Sequence, residues 1–399
     1  MTIPIHNPDV PEERKRTIIL FRLGFRPFFL AAGLFSMLLM GIFVFNLAMG
    51  DWHGTYLSLS LWHGHEMIFG YAVAVIAGFL LTAVKNWTGI DTVTGKGLLL
   101  LFLIWLAGRF VLVVPDLPGW LVVSVDIVFL PLLALVILRP IMKSGQSRNV
   151  SVVTLLMLMA AGNGLFHAQV LEFSFASMEP GLAIGVGAVL MLMSVIGGRV
   201  MPFFIEKGLS GASVVKIKWL ELAATPLIAI WLLLELLTPD SIWQVLAAFV
   251  AAMAHGIRLF GWGNLRIWKA PMLWVICMAY GWLVIGFILQ GLAGLQMIPG
   301  NIALHAWTVG AIGMFTLGMM ARVSLGHTGR AMIAHRAMVI GFVTLGLTAL
   351  TRVFVPLLFP AMMDVWLLIA GTGWILAFAL FVWIYAPYLV QVRADGRDD

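Results

Sequence analysis

Residues 60–89 read SLWHGHEMIFGYAVAVIAGFLLTAVKNWTG, an apolar stretch that opens with two histidines and a glutamate. The stretch can cross a bilayer as one helix, since a transmembrane helix needs about 20 predominantly apolar residues. A side chain that can carry a charge is costly at membrane depth, so it needs a partner, a metal ion or a proton to handle. His63, His65 and Glu66 are therefore the first candidates for a functional site.

The rest of the chain has the same apolar character. Of its 399 residues, 62% are hydrophobic and 11% are charged, whereas soluble proteins carry about 25% charged residues. Apolar windows of about 20 residues recur along the whole length. The sequence therefore predicts an all-α, polytopic membrane protein. Its single cysteine, Cys277, excludes an internal disulfide and a zinc or iron–sulfur site built from cysteines.

Twelve spans can be placed, and several of the loops between them carry the turn residues Pro, Asp and Gly. We expect one transmembrane domain over residues 27–390, preceded by a cytoplasmic segment at 1–26 and followed by a cytoplasmic tail at 391–399. The predicted spans are residues 28–49, 61–83, 97–114, 119–138, 150–171, 181–202, 217–237, 240–258, 271–294, 301–322, 336–356 and 364–387.

Lysine and arginine indicate the orientation. The chain has 24 of them, and all but Arg109 and Arg352 (24 − 2 = 22) lie in the N-terminal segment, around the even-numbered loops or in the C-terminal tail. Because these residues mark the cytoplasmic side, both termini are expected in the cytoplasm. The net charge of +6 is then a topological signal. We expect no nucleic-acid partner.

An internal repeat is indicated by a shift of 240 residues, which lays span 2 on span 10. The shift would make the two spans equivalent members of a fold that repeats every four helices, although apolar helices also match by chance. The matching positions are His65 with His305, Gly70 with Gly310, Gly78 with Gly318, and Thr88-Gly89 with Thr328-Gly329.

The orientation gives four histidines a common depth. Spans 2 and 10 run inward and span 5 runs outward, so His63, His65, His167 and His305 lie in one layer of the outer leaflet. Imidazole suits iron, copper and zinc, and histidine is a common axial ligand of haem. Such centres are built in bundle cores from facing helices. Alternatively, each histidine only hydrogen-bonds to a neighbour.

His63 and His65 face nearly opposite directions, because two residues span about 200° of a regular helix. Either one is a ligand that the other supports, or the two serve separate centres. A regular helix would place Glu66 on the same face as His63.

Arg109 and Arg352 lie in the outer halves of spans 3 and 11. Arginine binds carboxylates in a bidentate manner, so both are candidates to bind haem propionates. Glu66 is a second candidate partner for Arg109. The alternative is that both arginines reach to the outer surface.

Four segments resemble the NnrS family: FRLGFRPFFL (21–30), LWHGHEMIFGYAVAVIAGFLLTAVKNWTG (61–89), GGRVMPFF (197–204) and HAWTVGAIGMFTLGMMARVSLGHTGR (305–330). The resemblance implies a bacterial inner-membrane protein with haem and copper, associated with denitrification and relief of nitric oxide stress. It carries the family's histidines over to His63, His65, His305 and His327, and less securely to His167. Where the family often has another histidine, this chain has Cys277.

A fainter resemblance is to the haem–copper oxidase core subunit, which also has twelve spans in a quasi-threefold arrangement. Its His-Gly-x-x-Met-x-Phe pattern is similar to residues 63–69, HGHEMIF. That family's adjacent histidine pair and copper-ligand helix are missing here, so a standard oxygen-reducing centre is not expected.

The leading hypothesis is a multi-pass inner-membrane protein that binds haem, expected to be of the b type, with copper as a second metal. It would bind or turn over nitric oxide, which would make a haem-dependent oxidoreductase one interpretation. An electron donor would then be needed in the membrane or periplasm. The main alternative is a transporter or haem/copper-trafficking protein that uses the outer histidines as a transient site, a function that broken helices would favour. The third is an assembly partner of respiratory proteins.

Overall fold

The computed structural model describes residues 18–50, 52, 56–171 and 179–397. In these ranges the chain forms twelve long helices and no strand. They are α1 (Phe25–Met49), α2 (Leu59–Thr88), α3 (Gly95–Val111), α4 (Gly119–Lys143), α5 (Val150–Val170), α6 (Glu179–Gly208), α7 (Lys218–Leu237), α8 (Ile242–Gly261), α9 (Pro271–Gly294), α10 (Gly300–His327), α11 (Arg336–Leu358) and α12 (Met363–Val390).

The helices coincide with the twelve predicted spans, which confirms the all-α, multi-pass fold. Eleven of them are long and apolar enough to cross a membrane. The remaining one, α3, has 17 residues, at the short end of the range of about 17–25 residues that spans a bilayer.

Three helices form the centre of the bundle. Among the eleven, α2, α6 and α10 have 89%, 72% and 83% of their most apolar window buried, against at most 61% for any other. These three contact one another, and contacts of α4 with α5, α8 with α9 and α12 with α1 close the ring around them. The arrangement is three units of four helices, each with its second helix at the centre, as the predicted repeat requires.

Local details of α2 and α10 also match. Each ends at a glycine with left-handed backbone, Gly89 and Gly329, both at φ 71°, a conformation that glycine adopts at little cost. One residue earlier, Thr88 Oγ1 donates to the Val84 carbonyl at 2.7 Å. Thr328 Oγ1 donates to the Ser324 carbonyl at 2.6 Å. These hydrogen bonds are 240 residues apart, which supports the repeat.

A π-helical segment follows the equivalent histidine in each of these helices. Glu66–Ala72 comes directly after His65, and Ala306–Gly313 comes directly after His305. Each extra residue in the turn shifts the helix face that follows, and such segments are frequent at functional sites.

α4 is interrupted at Val128, between the helical segments Gly119–Ile127 and Phe129–Lys143. The interruption is explained by Pro131, since a proline ring clashes with the carbonyl four residues before it, here that of Ile127. Asp126 lies immediately before this break, with its side chain turned into the bundle.

Candidate functional site

The four outer histidines separate into two groups. We call the first the Asp126 group, and it joins α2, α3, α4 and α5. The second, the Arg352 group, joins α2, α10 and α11. The Asp126 group consists of His65, Glu66, Arg109, Asp126, Asn163 and His167. The Arg352 group consists of His63, His305 and Arg352.

Two imidazoles of the Asp126 group converge on one carboxylate oxygen. Nε2 of His65 lies 3.3 Å from Asp126 Oδ2, and Nε2 of His167 lies 3.0 Å from the same atom. Asn163 connects the two sides, because its Nδ2 donates to Asp126 Oδ2 at 2.8 Å and its Oδ1 accepts from His65 Nε2 at 2.9 Å.

The other ring nitrogen of each histidine, Nδ1, contacts a polar side chain on the side away from Asp126. His65 Nδ1 donates to Glu66 Oε1 at 3.0 Å. The Tyr56 hydroxyl lies 3.0 Å from His167 Nδ1. Burial, together with the negative charge of Asp126, raises the pKa of Tyr56 to about 12. The hydroxyl therefore stays protonated and donates to Nδ1, which leaves the His167 Nε2–H to point at Asp126.

Arg109 completes the charge balance of the Asp126 group. Its Nη2 contacts Asp126 Oδ1, and its Nη1 lies 3.1 Å from Glu66 Oε1. Because both nitrogens of His65 face oxygen acceptors, both carry a hydrogen. The ring is therefore an imidazolium with a positive charge. Two positive charges then face two carboxylates, so the group is electrically neutral as it stands.

Close helix approach makes this packing possible. A Cβ at Gly70 of α2 would lie 2.6 Å from Arg109 Nη1, and one at Gly108 of α3 would lie 2.9 Å from Asp126 Oδ1. A larger residue at either position would collide with the ion pairs.

The Asp126 group has the donor set of a metal site. The ligand atoms of His65, Asp126 and His167 all lie within 4.8 Å of one another. Metal-binding histidines are typically oriented by a carboxylate or similar acceptor on the other ring nitrogen, and Glu66 and Tyr56 contact these two rings from that side. Imidazole and carboxylate together suit iron, copper or zinc.

Haem does not fit the Asp126 group, because every ring nitrogen of His65 and His167 already contacts a polar neighbour. Both ligand histidines are also completely buried. The residues therefore fit a single ion and do not fit haem.

The Arg352 group lacks a carboxylate in the described residues. Arg352 Nη2 donates to His305 Nε2 at 3.2 Å, and His305 Nδ1 donates to the Asn301 carbonyl at 2.6 Å. His63 stacks on Phe43 with the ring centroids 4.1 Å apart.

Two buried polar atoms of this group have no hydrogen-bond partner, Nη1 of Arg352 and Nδ1 of His63. Arg352 is only 8% exposed. A buried cation without an opposite charge is costly, and an unpartnered imidazole nitrogen can bind a metal. The Arg352 group therefore offers one ligand nitrogen and one anion-binding nitrogen.

His327 lies elsewhere, at the C-terminal end of α10. It is 22 residues beyond His305, or about 33 Å along a helix at ~1.5 Å per residue. Its ring lies 5.6 Å from that of Phe25. The structure does not bring His327 to the outer histidines. Cys277 is a partly buried free thiol of α9.

Regular helix geometry did not predict the contacts of Glu66. Its backbone keeps the α-helical register, since its N–H faces the Trp62 and His63 carbonyls. The side chain nevertheless contacts the adjacent His65 and Arg109 of α3.

Sequence reasoning missed Asp126, Asn163 and Tyr56. For Asp126 a signal was available, because an acidic residue within an apolar span is itself a candidate for function. No such signal marked Asn163 or Tyr56, which matter only through their cross-helix neighbours.

A third buried polar group, also missed, joins α7, α8 and α9. Arg258 donates through Nε to Glu221 Oε1 at 3.0 Å and through Nη1 to the Tyr280 hydroxyl at 2.9 Å. That hydroxyl lies 2.7 Å from His255 Nδ1, and His255 Nε2 donates to the Ala224 carbonyl at 3.1 Å. It contains a single histidine, whose ring nitrogens contact a hydroxyl and a backbone carbonyl, so this group fits a structural link between helices.

Comparison with known proteins gives one family. A search of curated proteins finds no match. The family model described as NnrS protein matches residues 19–393, nearly the whole chain. The chain therefore belongs to the NnrS family.

Proposed function

We propose that this protein of the bacterial inner membrane holds a metal cofactor in its outer histidine layer and there binds or turns over nitric oxide. Membership of the NnrS family supports a membrane protein of the nitric oxide response. Nitric oxide is small and uncharged and partitions into lipid, so a centre inside the bundle is accessible to it from the bilayer.

The observation that carries the proposal is the convergence of His65 Nε2 and His167 Nε2 on Asp126 Oδ2. These three residues would hold the ion, and copper is the metal we propose. A bound transition-metal ion supplies a coordination position for a diatomic ligand. Binding would displace the Nε2 protons of both His65 and His167, since metal ligands must be deprotonated. His167 would then carry its proton on Nδ1, with the Tyr56 hydroxyl as the acceptor.

The Arg352 group fits haem better than the Asp126 group does. His63 presents an unpartnered nitrogen, and the free Nη1 of Arg352 suits a propionate carboxylate. His305 fits less directly, because its Nε2 already accepts from Arg352. A b-type haem at this position would lie at the outer ends of α2 and α10, where an electron donor in the membrane or periplasm could reach it.

The transporter alternative is not favoured. It would be supported by unwound helices around the site, but the interruption of α4 beside Asp126 is confined to Val128, and α2 and α10 remain helical from end to end. Their π-helical segments change the register without breaking the backbone hydrogen bonding of the helix.

The test is the cofactor content of purified protein made with ample haem and copper. We expect a Soret band, about one bound metal ion beyond haem iron, and a spectral shift when nitric oxide is added. His167→Ala should remove the ion. His335→Asn is the matched control, because His335 caps α11 on the cytoplasmic side through the Ala337 N–H and asparagine is also a good cap. Wild-type protein with neither haem nor a second metal would overturn the proposal.

A further inference from the structure

We infer that the centre of the bundle is a binding site for one molecule of an apolar gas. A cavity of about 50 Å³ lies between α2, α6 and α10, away from both histidine groups. Its wall includes Ile76 and Phe79 of α2, Leu192 and Ile196 of α6, and Ile312 and Thr316 of α10.

The cavity lies on the axis that relates the three repeats. Ile76, Ile196 and Thr316 all line it, and each is 120 residues from the next along the chain. Side chains of two neighbouring helices can interdigitate because they lie at different heights. Three equivalent side chains lie at the same height around one axis, so they cannot interdigitate. The fold itself therefore leaves space at this point.

All atoms exposed to the cavity are apolar. The single hydroxyl in the wall, Thr316 Oγ1, is already bonded to the Ile312 carbonyl at 2.7 Å and to the Tyr71 hydroxyl at 2.6 Å. A buried water needs about 2–4 polar partners, and apolar cavities stay dry and accept apolar ligands. Water would find no hydrogen-bond partners in the cavity, so we expect the cavity to be dry.

Size restricts the occupant further. The cavity is about a third of a ~150 Å³ cavity that accepts benzene. A diatomic gas or a xenon atom fits this space, whereas a whole aromatic molecule does not.

The cavity is equally far from both histidine groups along the helices. Ile76 is 11 residues beyond His65, and Thr316 is 11 residues beyond His305, which is about 16 Å at ~1.5 Å per residue. The identification of the gas as nitric oxide rests on the proposed function; the apolar gas site does not. Such a site would concentrate the gas close to both groups.

Xenon tests the site directly. Crystals of the full chain under xenon pressure should show one anomalous peak between α2, α6 and α10, and the same protein in detergent should shift the ¹²⁹Xe resonance. Ile196→Phe and, independently, Leu192→Phe fill the cavity and should abolish the bound xenon. Ile340→Phe adds the same volume at a position of α11 that is 58% exposed and should leave it bound.

The outcomes separate the two proposals. No xenon at the axis, or ordered water there, would overturn the gas site even if the protein binds nitric oxide. Xenon lost equally in Ile340→Phe would also overturn it. Xenon bound at the axis in a protein that shows no response to nitric oxide would leave the site standing and remove only the proposed function.

Discussion

The Asp126 and Arg352 groups are built on equivalent helices and differ in how their charge is balanced. Each has a histidine at the same position of its second helix, His65 or His305, and an arginine near the C-terminal end of its third helix, Arg109 or Arg352. Arg109 contacts two carboxylates, whereas Arg352 contacts an imidazole and no carboxylate of the described residues. One repeat thus balances the charge of its arginine within the protein, and the other leaves that charge to a bound anion.

The largest effect is expected for Asp126→Leu, because it leaves Arg109 and the proton of His65 without their shared carboxylate. Breaking a buried ion pair costs about 3–5 kcal/mol, so the free energy of unfolding should fall by that amount. Thermal unfolding in detergent measures it. Asp364→Leu at the start of α12 is the control, since Asp364 is exposed. Equal melting temperatures for the two variants would contradict the assignment of Asp126 as the carboxylate that the buried ion pairs share.

The two arginines should respond with opposite signs in protein without cofactors. Arg109→Leu leaves two buried carboxylates with His65 as their one shared cation and should destabilise by about 3 kcal/mol. Arg352→Leu loses one hydrogen bond, about 1 kcal/mol, and removes a buried cation whose insertion costs about 2.5–3.5 kcal/mol. It should therefore stabilise the protein slightly. Equal losses in the two variants would contradict the claim that Arg109 has carboxylate partners and Arg352 has none in the described residues.

Gly70→Ala tests the close approach of α2 and α3. The added Cβ would lie 2.6 Å from Arg109 Nη1 and 2.8 Å from Glu66 Oε2, and overpacking of this kind costs about 1–3 kcal/mol. Gly41→Ala is the matched control in α1, because a Cβ there meets nothing within 4 Å. The same unfolding assay applies, and a Gly70→Ala variant as stable as the control would argue against the tight ion-pair packing.

The smallest effect is expected for Tyr56→Phe, which removes the hydrogen bond to His167. The loss should be about 0.5–1.5 kcal/mol. Because the pKa of Tyr56 is raised from 10.0 to about 12 in the folded protein, its contribution is complete below pH 10 and is lost as the pH rises towards 12. The stability difference between wild type and variant should therefore be constant from pH 7 to 9. A difference that already changes in this range would contradict the assigned hydrogen bond.

The sequence allowed the helices of the bundle to be predicted because an apolar window of spanning length marks each of them. The alternating direction of these spans placed His63, His65, His167 and His305 in one layer. The side of the membrane that this layer faces follows from the Lys and Arg distribution and stays a prediction. The 240-residue shift was a weaker signal, and the paired π-helical segments and terminal glycines now support it.

The grouping of the histidines could not be predicted. It depends on which helices are neighbours, as the contact of Glu66 in α2 with Arg109 in α3 illustrates. Asp126 lies beside a proline-induced interruption of α4. The sequence does not specify how that interruption orients the helix. Depth is a property of one helix, whereas a binding site is a property of several.

The most direct test of the account compares His63→Ala with His65→Ala. These residues are two positions apart, yet we assign them to separate groups. Haem measured by the Soret band and metal measured by elemental analysis should respond separately. His63→Ala should lose haem and keep the second metal ion, and His65→Ala should lose the ion and keep haem. Loss of the same cofactor to the same extent in both variants would contradict the division of the outer layer into two centres.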